Sequence, residues 1–353
     1  MENQFFYNNL KHLLHATTCL PLSNKKRILV ISDLHTGDGS KRDDFLKNND
    51  LLINILKDYY FPEKFTLILN GDIEELHKFS YSQIYKNHLE LYKLFDLFFQ
   101  SGRLLKIVGN HDYELLLMKD YTYRDVLHHA VCFQYRKNSL LVFHGHQASS
   151  FYENYNFISS FLIRHVSSPL HLKNPTAAYD SRRRYAIEKK VYRFSSREKI
   201  VSIIGHTHRP LFESLSKTDD LKFRIETLCQ AYPAASVREK KRIETEIRDH
   251  KEELKKIRRR DHSFGIHHAI YNTDIIVPCV FNSGSGIGKR GITGIEIMNG
   301  KISLIHWFDR RRREKYYRHY ENFPVQLGHT PYFKMTMRKA SLDYIFTRIR
   351  LLS

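Results

Sequence analysis

Five short runs of Val, Ile and Leu in this chain each stop at side chains bearing a carboxylate, an amide or an imidazole. They are ILVISDLH with Asp33 and His35, LILNGD with Asp72, KIVGNHD with Asn110 and His111, LLVFHGH with His144, and VSIIGHTH with His206 and His208. A short apolar run is the pattern of a strand buried on both faces, and such strands belong to largely parallel sheets covered by helices. Ligands of those sheets gather beyond the carboxyl ends of the strands. One such island is weak evidence, because His and Asp at strand ends often only satisfy turn backbone. Five in one chain are expected to converge on a single site.

The order of elements supports this. From Arg27 to Asp112 the chain reads as strand, loop, helix, strand, helix, strand, the second helix covering SQIYKNHLELYKLFDLFF, and the alternation predicts an α/β fold. SLLVFHGH, KIVSIIGH and IIVPCVFNSGSG add further strands. GITGIEIM and KISLIHWF are joined at Asn299-Gly300, a hairpin signal. The picture is a two-layered β core with helices outside. Residues 1–26 read as an N-terminal extension, 27–310 as the main domain with basic helical insertions at about 147–200 and 211–262, and 311–353 as a basic C-terminal tail. Within the second insertion, residues 233–260 carry a thin apolar stripe (Ile243, Ile247, Leu254, Ile257), which suits either a solvated helix or a partner-binding one.

Against 38 Asp plus Glu stand 57 Lys plus Arg, a net charge of +19. This favours anionic partners, whether phosphorylated substrates, acidic lipid surfaces or nucleic acid. Cys19, Cys132, Cys229 and Cys279 show no CxxC spacing, so neither a disulfide framework nor a thiolate zinc site is expected, and a reducing cytoplasm fits them. No stretch approaches the roughly 18 apolar residues of a membrane span. The expectation is a cytoplasmic protein, with attachment to the inner face of the membrane as the furthest departure from it.

Asp, Asn and His without thiolates suit manganese, iron(II) or zinc, and eight candidate ligands are too many for one ion. Two adjacent divalent metals lower the pKa of a bridging water and clamp the attacking and leaving oxygens of an in-line displacement, so hydrolysis of a phosphate ester is the expected chemistry. Gly71, Gly109, Gly145 and Gly205 beside the polar residues are expected to let the backbone turn at the strand ends.

The ordered set DLH, GDIEE, GNHD, HGH and GHTH resembles the calcineurin-like metallophosphoesterase superfamily across roughly residues 27 to 310. The resemblance implies a four-layer α-β-β-α sandwich and a dinuclear centre, with manganese the first choice of metal. It makes Asp33, His35 and His208 ligands of one metal, Asn110, His144 and His206 ligands of the other, and Asp72 the bridge. By the same match His111 contacts the phosphate and serves the leaving oxygen, while Asp112 orients His111. Glu75, at the end of the GDIEE block, is expected to be a structural or supporting acid. Around this core, Arg209 is a candidate for bidentate phosphate binding or for pinning its own loop. His146 is a candidate for substrate or supporting contacts, and Asn282, Ser283 and Gly284 are candidates for one pocket wall through their backbone amides. His267 and His268 are expected to be ordinary polar residues. Among superfamily members the blocks are most similar to bacterial UDP-2,3-diacylglucosamine pyrophosphate hydrolases, although those carry Arg where this chain has His111. A phosphorylated small molecule or lipid-linked substrate follows from this likeness. Nucleic-acid binding or nuclease activity through the basic insertions is the alternative, with no aromatic platform motif to support it.

Overall fold

The computed structural model describes residues 2–148, 181–214, 221, 222, 225, 228, 229, 232–262, 276–288, 291–312 and 324–353. Two sheets form its centre. The larger has eight strands in the order β12 (Val325–Gln326), β13 (Tyr332–Ser341), β11 (Lys301–Asp309), β10 (Ile292–Met298), β2 (Ile28–Ile31), β3 (Thr66–Asn70), β4 (Leu104–Ile107) and β5 (Leu127–His128). The smaller has five: β1 (Cys19–Pro21), β6 (Ala130–Tyr135), β7 (Asn138–Phe143), β8 (Val201–Ile204) and β9 (Val280–Asn282). Strands β2 to β5 run parallel, as do β7, β8 and β9, so the candidate residues all follow strands pointing one way in each sheet.

Both faces of the central strands are buried, which is why they read as unbroken apolar runs. Ile28, Val30, Ile68 and Ile107 share a core cluster with Val131, Val142 and Ile203 of the smaller sheet. The alternate residues Leu29, Ile31, Leu67 and Leu69 pack instead with Leu51, Leu52 and Ile55 of α2 (Asn49–Ile55) and with Leu91 and Phe95 of α4 (Leu89–Gln100). On the other side, Phe6 and Leu10 of α1 (Glu2–Ala16) and Ile187, Val191 and Phe194 of α5 (Ser181–Glu198) join the first cluster. The layers run helix, sheet, sheet, helix, as expected.

The second expected helix is split. A capping box of Ser80 and Gln83 starts α3 (Tyr81–Asn87). His88 then leaves helical geometry (φ −116°, ψ 29°), and its buried ring lies 2.8 Å from Asp43 Oδ2 and 3.0 Å from Asn49 Oδ1. Asn299 and Gly300 take φ of 53° and 66°, the left-handed pair a two-residue I′ hairpin requires, and they join β10 to β11.

The domain boundaries drawn at 26 and 311 need correction, since both cut through packed structure. Helix α1 buries Phe6 and Leu10, and β1 pairs with β6 in the smaller sheet. At the other end β13 pairs along the whole of β11, and α7 (Leu342–Leu352) buries Leu342, Ile345, Phe346 and Ile349. In sequence this strand merges with the basic tail because Lys334, Arg338 and Lys339 interrupt its apolar residues. Lys334 on β13 lies 2.5 Å from Glu296, which also accepts from Tyr60 (2.7 Å), so the charge is paired inside the fold. The basic run at 310–312 is described, whereas 313–323 lie outside the described residues, as do 149–180 of the first insertion. In the second, Val237–His262 form one long helix, α6, with Ile243 buried.

The expectation that the cysteines form no disulfide framework also needs correction, by one bond. Cys19 and Cys132 are in register on β1 and β6 with Cα atoms 4.3 Å apart, and their sulfurs are bonded. Strand pairing brings together residues 113 apart in sequence, which spacing motifs do not register. Cys229 and Cys279 remain free, and the cysteines as a set do not point to a reducing compartment. No described helix is long and apolar enough to cross a membrane.

Candidate metal centre

The site is built where the ends of β2, β3 and β4 meet those of β7, β8 and β9. Its backbone is unusual before any chemistry is considered. Asp33, His35, Asp72, His206 and His208 all take positive φ, between 49° and 63°. Left-handed backbone costs a non-glycine residue roughly 1–2 kcal/mol, and residues held there cluster at functional sites. Interlocking bonds between the strand ends hold these turns: Asp33 N donates to Gly71 O (3.0 Å), His35 N to Asp72 O (3.0 Å), and His206 N to Asp33 Oδ2 (2.9 Å). Gly71 itself turns at φ +79°, and a Cβ there would run into the His144 ring. Gly109 has an ordinary φ. Its need is for space, because a Cβ would enter the Asp72 carboxylate.

Three groups of donor atoms converge, each within 4.8 Å: Asp33, His35 and His208; Asp72, His144 and His206; and His35, Glu75 and His111. The first two are joined by one oxygen. Asp72 Oδ2 lies 3.9 Å from His35 Nε2 and 3.1 Å from His144 Nε2, while its Oδ1 accepts from His111 N at 2.8 Å. All seven residues expected as metal ligands are therefore brought together or, for Asn110, placed on the loop that enters the same corner.

Three observations show that this donor set suits cations. First, Asn110 Oδ1 is buried without a hydrogen-bond partner, and so is His144 Nε2, whose approach to Asp72 is poorly aligned for a hydrogen bond. Second, His35 Nε2 and His208 Nε2 face each other at 3.2 Å. With His35 Nδ1 donating to Glu75 Oε2 (2.9 Å), a neutral His35 directs its Nε2 lone pair at that meeting point. Third, His144 Nδ1 donates to Asn70 O (2.8 Å), which likewise leaves Nε2 as the ligating atom.

Electrostatics agree. Burial holds the His35 and His206 imidazoles below their ordinary value, His206 down to about 3, so both keep free lone pairs at neutral pH. At His144 burial acts in the same direction, yet the Asp72 and Asp33 carboxylates outweigh it and raise the ring to about 10. The corner beside Asp72 thus stabilises positive charge on the His144 edge.

Glu75 supplies a link that the sequence only hinted at. Its carboxylate is buried and spans two rings, Oε2 to His35 Nδ1 at 2.9 Å and Oε1 to His111 Nδ1 at 2.8 Å. Asp112, expected to orient His111, does something else: it accepts from Ile73 N (2.8 Å) and Gly109 N (2.5 Å) and so braces the turn beneath the site. His111 is oriented by Glu75, because its ring turns away from its neighbour in sequence. Burial would lower the His111 ring, but Asp72 and Glu75 together raise it to about 9.

Two expected substrate contacts are structural here. The Arg209 guanidinium meets Glu188 on α5, with Nε 3.1 Å from Oε1 and Nη2 bonded to Oε2, and it lies over the Tyr185 ring. Glu188 is fully buried and also accepts from Thr207 Oγ1 (2.9 Å), so Arg209 pins its own loop to the helix. The Asn282 amide donates to Gly205 O and Thr207 Oγ1, both at 2.9 Å, and accepts from Gly284 N at 2.7 Å. Ser283 N is likewise spent on Ile204 O at 3.0 Å, so these groups knit β8 to β9 rather than line a pocket. His146 is buried with its ring centre 5.4 Å from that of His144 and 6.3 Å from that of His206, where burial and those two rings keep it well below its ordinary value and neutral. His267 and His268 lie outside the described residues.

A further buried pair was missed. Lys106 on β4 and Glu74 are both fully buried, with Nζ 2.7 and 2.6 Å from the two carboxylate oxygens, and Glu74 also accepts from Tyr92 (2.8 Å). A lone Lys inside the apolar run LLKIV was the available signal, because a charge there demands a buried partner.

With this geometry in place, the chain belongs to the calcineurin-like phosphoesterase family, whose model matches residues 26–210. Among solved structures it is similar to Vps29 of Chaetomium thermophilum, with 11% identity, 90% of this chain and 100% of that one covered, and a TM-score of 0.33. It is also similar to a dimetal phosphatase from Danio rerio, with 13% identity, 80% and 96% covered, and a TM-score of 0.36. No curated protein matches the chain.

Proposed function

We propose that this protein hydrolyses phosphate esters or pyrophosphates at a centre of two divalent cations, manganese being the first candidate. The observation that carries this reading is the position of Asp72 Oδ2, reaching one donor group through His35 and the other through His144. Asp33, His35 and His208 would hold one ion, Asn110, His144 and His206 the other, and Asp72 both. Such a pair supplies a nucleophilic water at neutral pH and neutralises charge on the phosphoryl oxygens.

The remaining work falls to the chain's own groups. Glu75 fixes the His111 ring through Nδ1 and favours its charged form, which leaves Nε2–H as the donor towards a phosphoryl or leaving oxygen. The same carboxylate fixes the His35 tautomer, so ligand orientation and proton donation share one anchor. Gly109 lets the loop bearing His111 lie directly on Asp72.

The test is hydrolysis of p-nitrophenyl phosphate and bis-p-nitrophenyl phosphate by purified protein with and without manganese. Metal-dependent turnover is expected, falling on the order of 10³-fold in Asp72→Ala with loss of bound metal. Absence of metal-dependent turnover on either ester, or turnover undiminished in Asp72→Ala, overturns the proposal.

A further inference from the structure

We infer that the cleft beside His111, walled by residues 76–82 and 114–118, seats the leaving group of the substrate and selects esters with a compact apolar or aromatic body. This rests on the hydrolase reading above. The cleft has a volume of about 520 Å³, within the range of small-molecule pockets. Leu76, Phe79, Tyr81 and Met118 supply its apolar lining, and His77 and Lys78 stand on its rim.

Its placement argues for the role. Both walls continue directly from the turns that carry the proton-donating pair: residues 76–82 follow Glu75, and 114–118 follow His111. Leu76 N donates to His111 O (3.2 Å), which locks the two segments together. The His77 ring packs on the His111 ring with centres 4.4 Å apart and planes at 36°, so the cleft begins one ring's thickness from the donor. A proton donor serves the oxygen that departs, and the organic group on that oxygen must extend beyond the donor. The cleft adjoins that donor across His77, and Leu76, Phe79, Tyr81 and Met118 give it an apolar part for such a group. Lys78 has Nζ 3.6 Å from both Asp44 and Glu75, and Glu114 adds a carboxylate to the lining, so the cleft does not favour a second phosphate.

The experiment uses the full chain loaded with manganese. Calorimetry compares phenylphosphonate with methylphosphonate, and turnover compares 1-naphthyl phosphate with acetyl phosphate, whose leaving group is small. Burial of one ring predicts a preference of about tenfold or more for phenyl over methyl. Met118→Trp, which narrows the cleft, should reduce that preference severalfold and lower kcat/KM for the naphthyl ester about tenfold, with acetyl phosphate turnover unchanged. Ser82→Tyr on the exposed rim gives a second filling variant should Met118→Trp fold poorly. Equal binding of the two phosphonates by the parent protein, or a preference undiminished by both substitutions, overturns the cleft assignment and leaves the hydrolase reading standing. Binding of neither phosphonate together with turnover of neither ester overturns both.

Discussion

The two halves of the metal centre are held in different ways. On the eight-stranded side, buried ionisable groups sit within or directly behind the turns: Glu75 on His35 and His111, Asp112 under Gly109, and Lys106 against Glu74. On the five-stranded side the turns around His144, His206 and His208 use the Asn70 carbonyl and the Asn282 amide, with carboxylates meeting backbone and loop groups: Asp33 on His206 N, and Glu188 on Thr207 and Arg209. The first arrangement puts a supporting carboxylate on the imidazoles themselves, whereas the second supports its turns mainly through backbone, amide and loop groups. Removing one member of a buried ion pair leaves an uncompensated charge, and removing an amide leaves only unsatisfied dipoles.

The contrast is open to direct attack. Lys106→Met should destabilise the fold by about 3–5 kcal/mol in urea unfolding, because Glu74 is left buried and unpaired. Asn282→Ala should cost about 1–3 kcal/mol for the groups it orphans. Adding Glu74→Leu to Lys106→Met should recover most of the loss. Equal effects of the two single substitutions, or no recovery in the double, would erase the distinction between the halves.

Glu75→Gln keeps the shape of the anchor and removes its charge. Metal affinity measured by calorimetric titration should fall about 10–100-fold, the usual consequence of losing a carboxylate behind a ligating imidazole. An unchanged affinity would mean that Glu75 only packs, and that the potential on this side comes from the ligands alone.

The smallest expected effect is a pH dependence confined to the eight-stranded side. Burial alone would raise the Asp43 carboxyl, but the hydrogen bond and charge of His88 more than offset it and hold the folded value below the ordinary one. Its stabilisation is therefore complete above about pH 4 and disappears as the pH falls through the lower folded value. Urea midpoints followed from pH 6 to pH 2 should drop less steeply in Asp43→Asn than in the parent. Parallel curves would show that the Asp43–His88 pair adds nothing to acid sensitivity.

The family, the layered architecture and the residues of the donor groups were legible in the order of residues alone. Local chemistry explains why: a strand buried on both faces must be apolar throughout, so the point at which it turns polar stands out wherever it occurs. What the linear order does not carry is which groups meet across the strand ends. Asp112 adjoins His111 in sequence yet braces Ile73 and Gly109, while Glu75, thirty-six positions away, holds the ring. Arg209 and Asn282 have the right chemistry for a phosphate, but their partners Glu188 and Thr207 claim them first. The Cys19–Cys132 bond and the paired strand β13 likewise exist only once distant strands are in register. Spacing along a chain encodes burial and turning, which are properties of neighbours; hydrogen bonds and ion pairs across a site belong to whatever packing brings within about 3 Å.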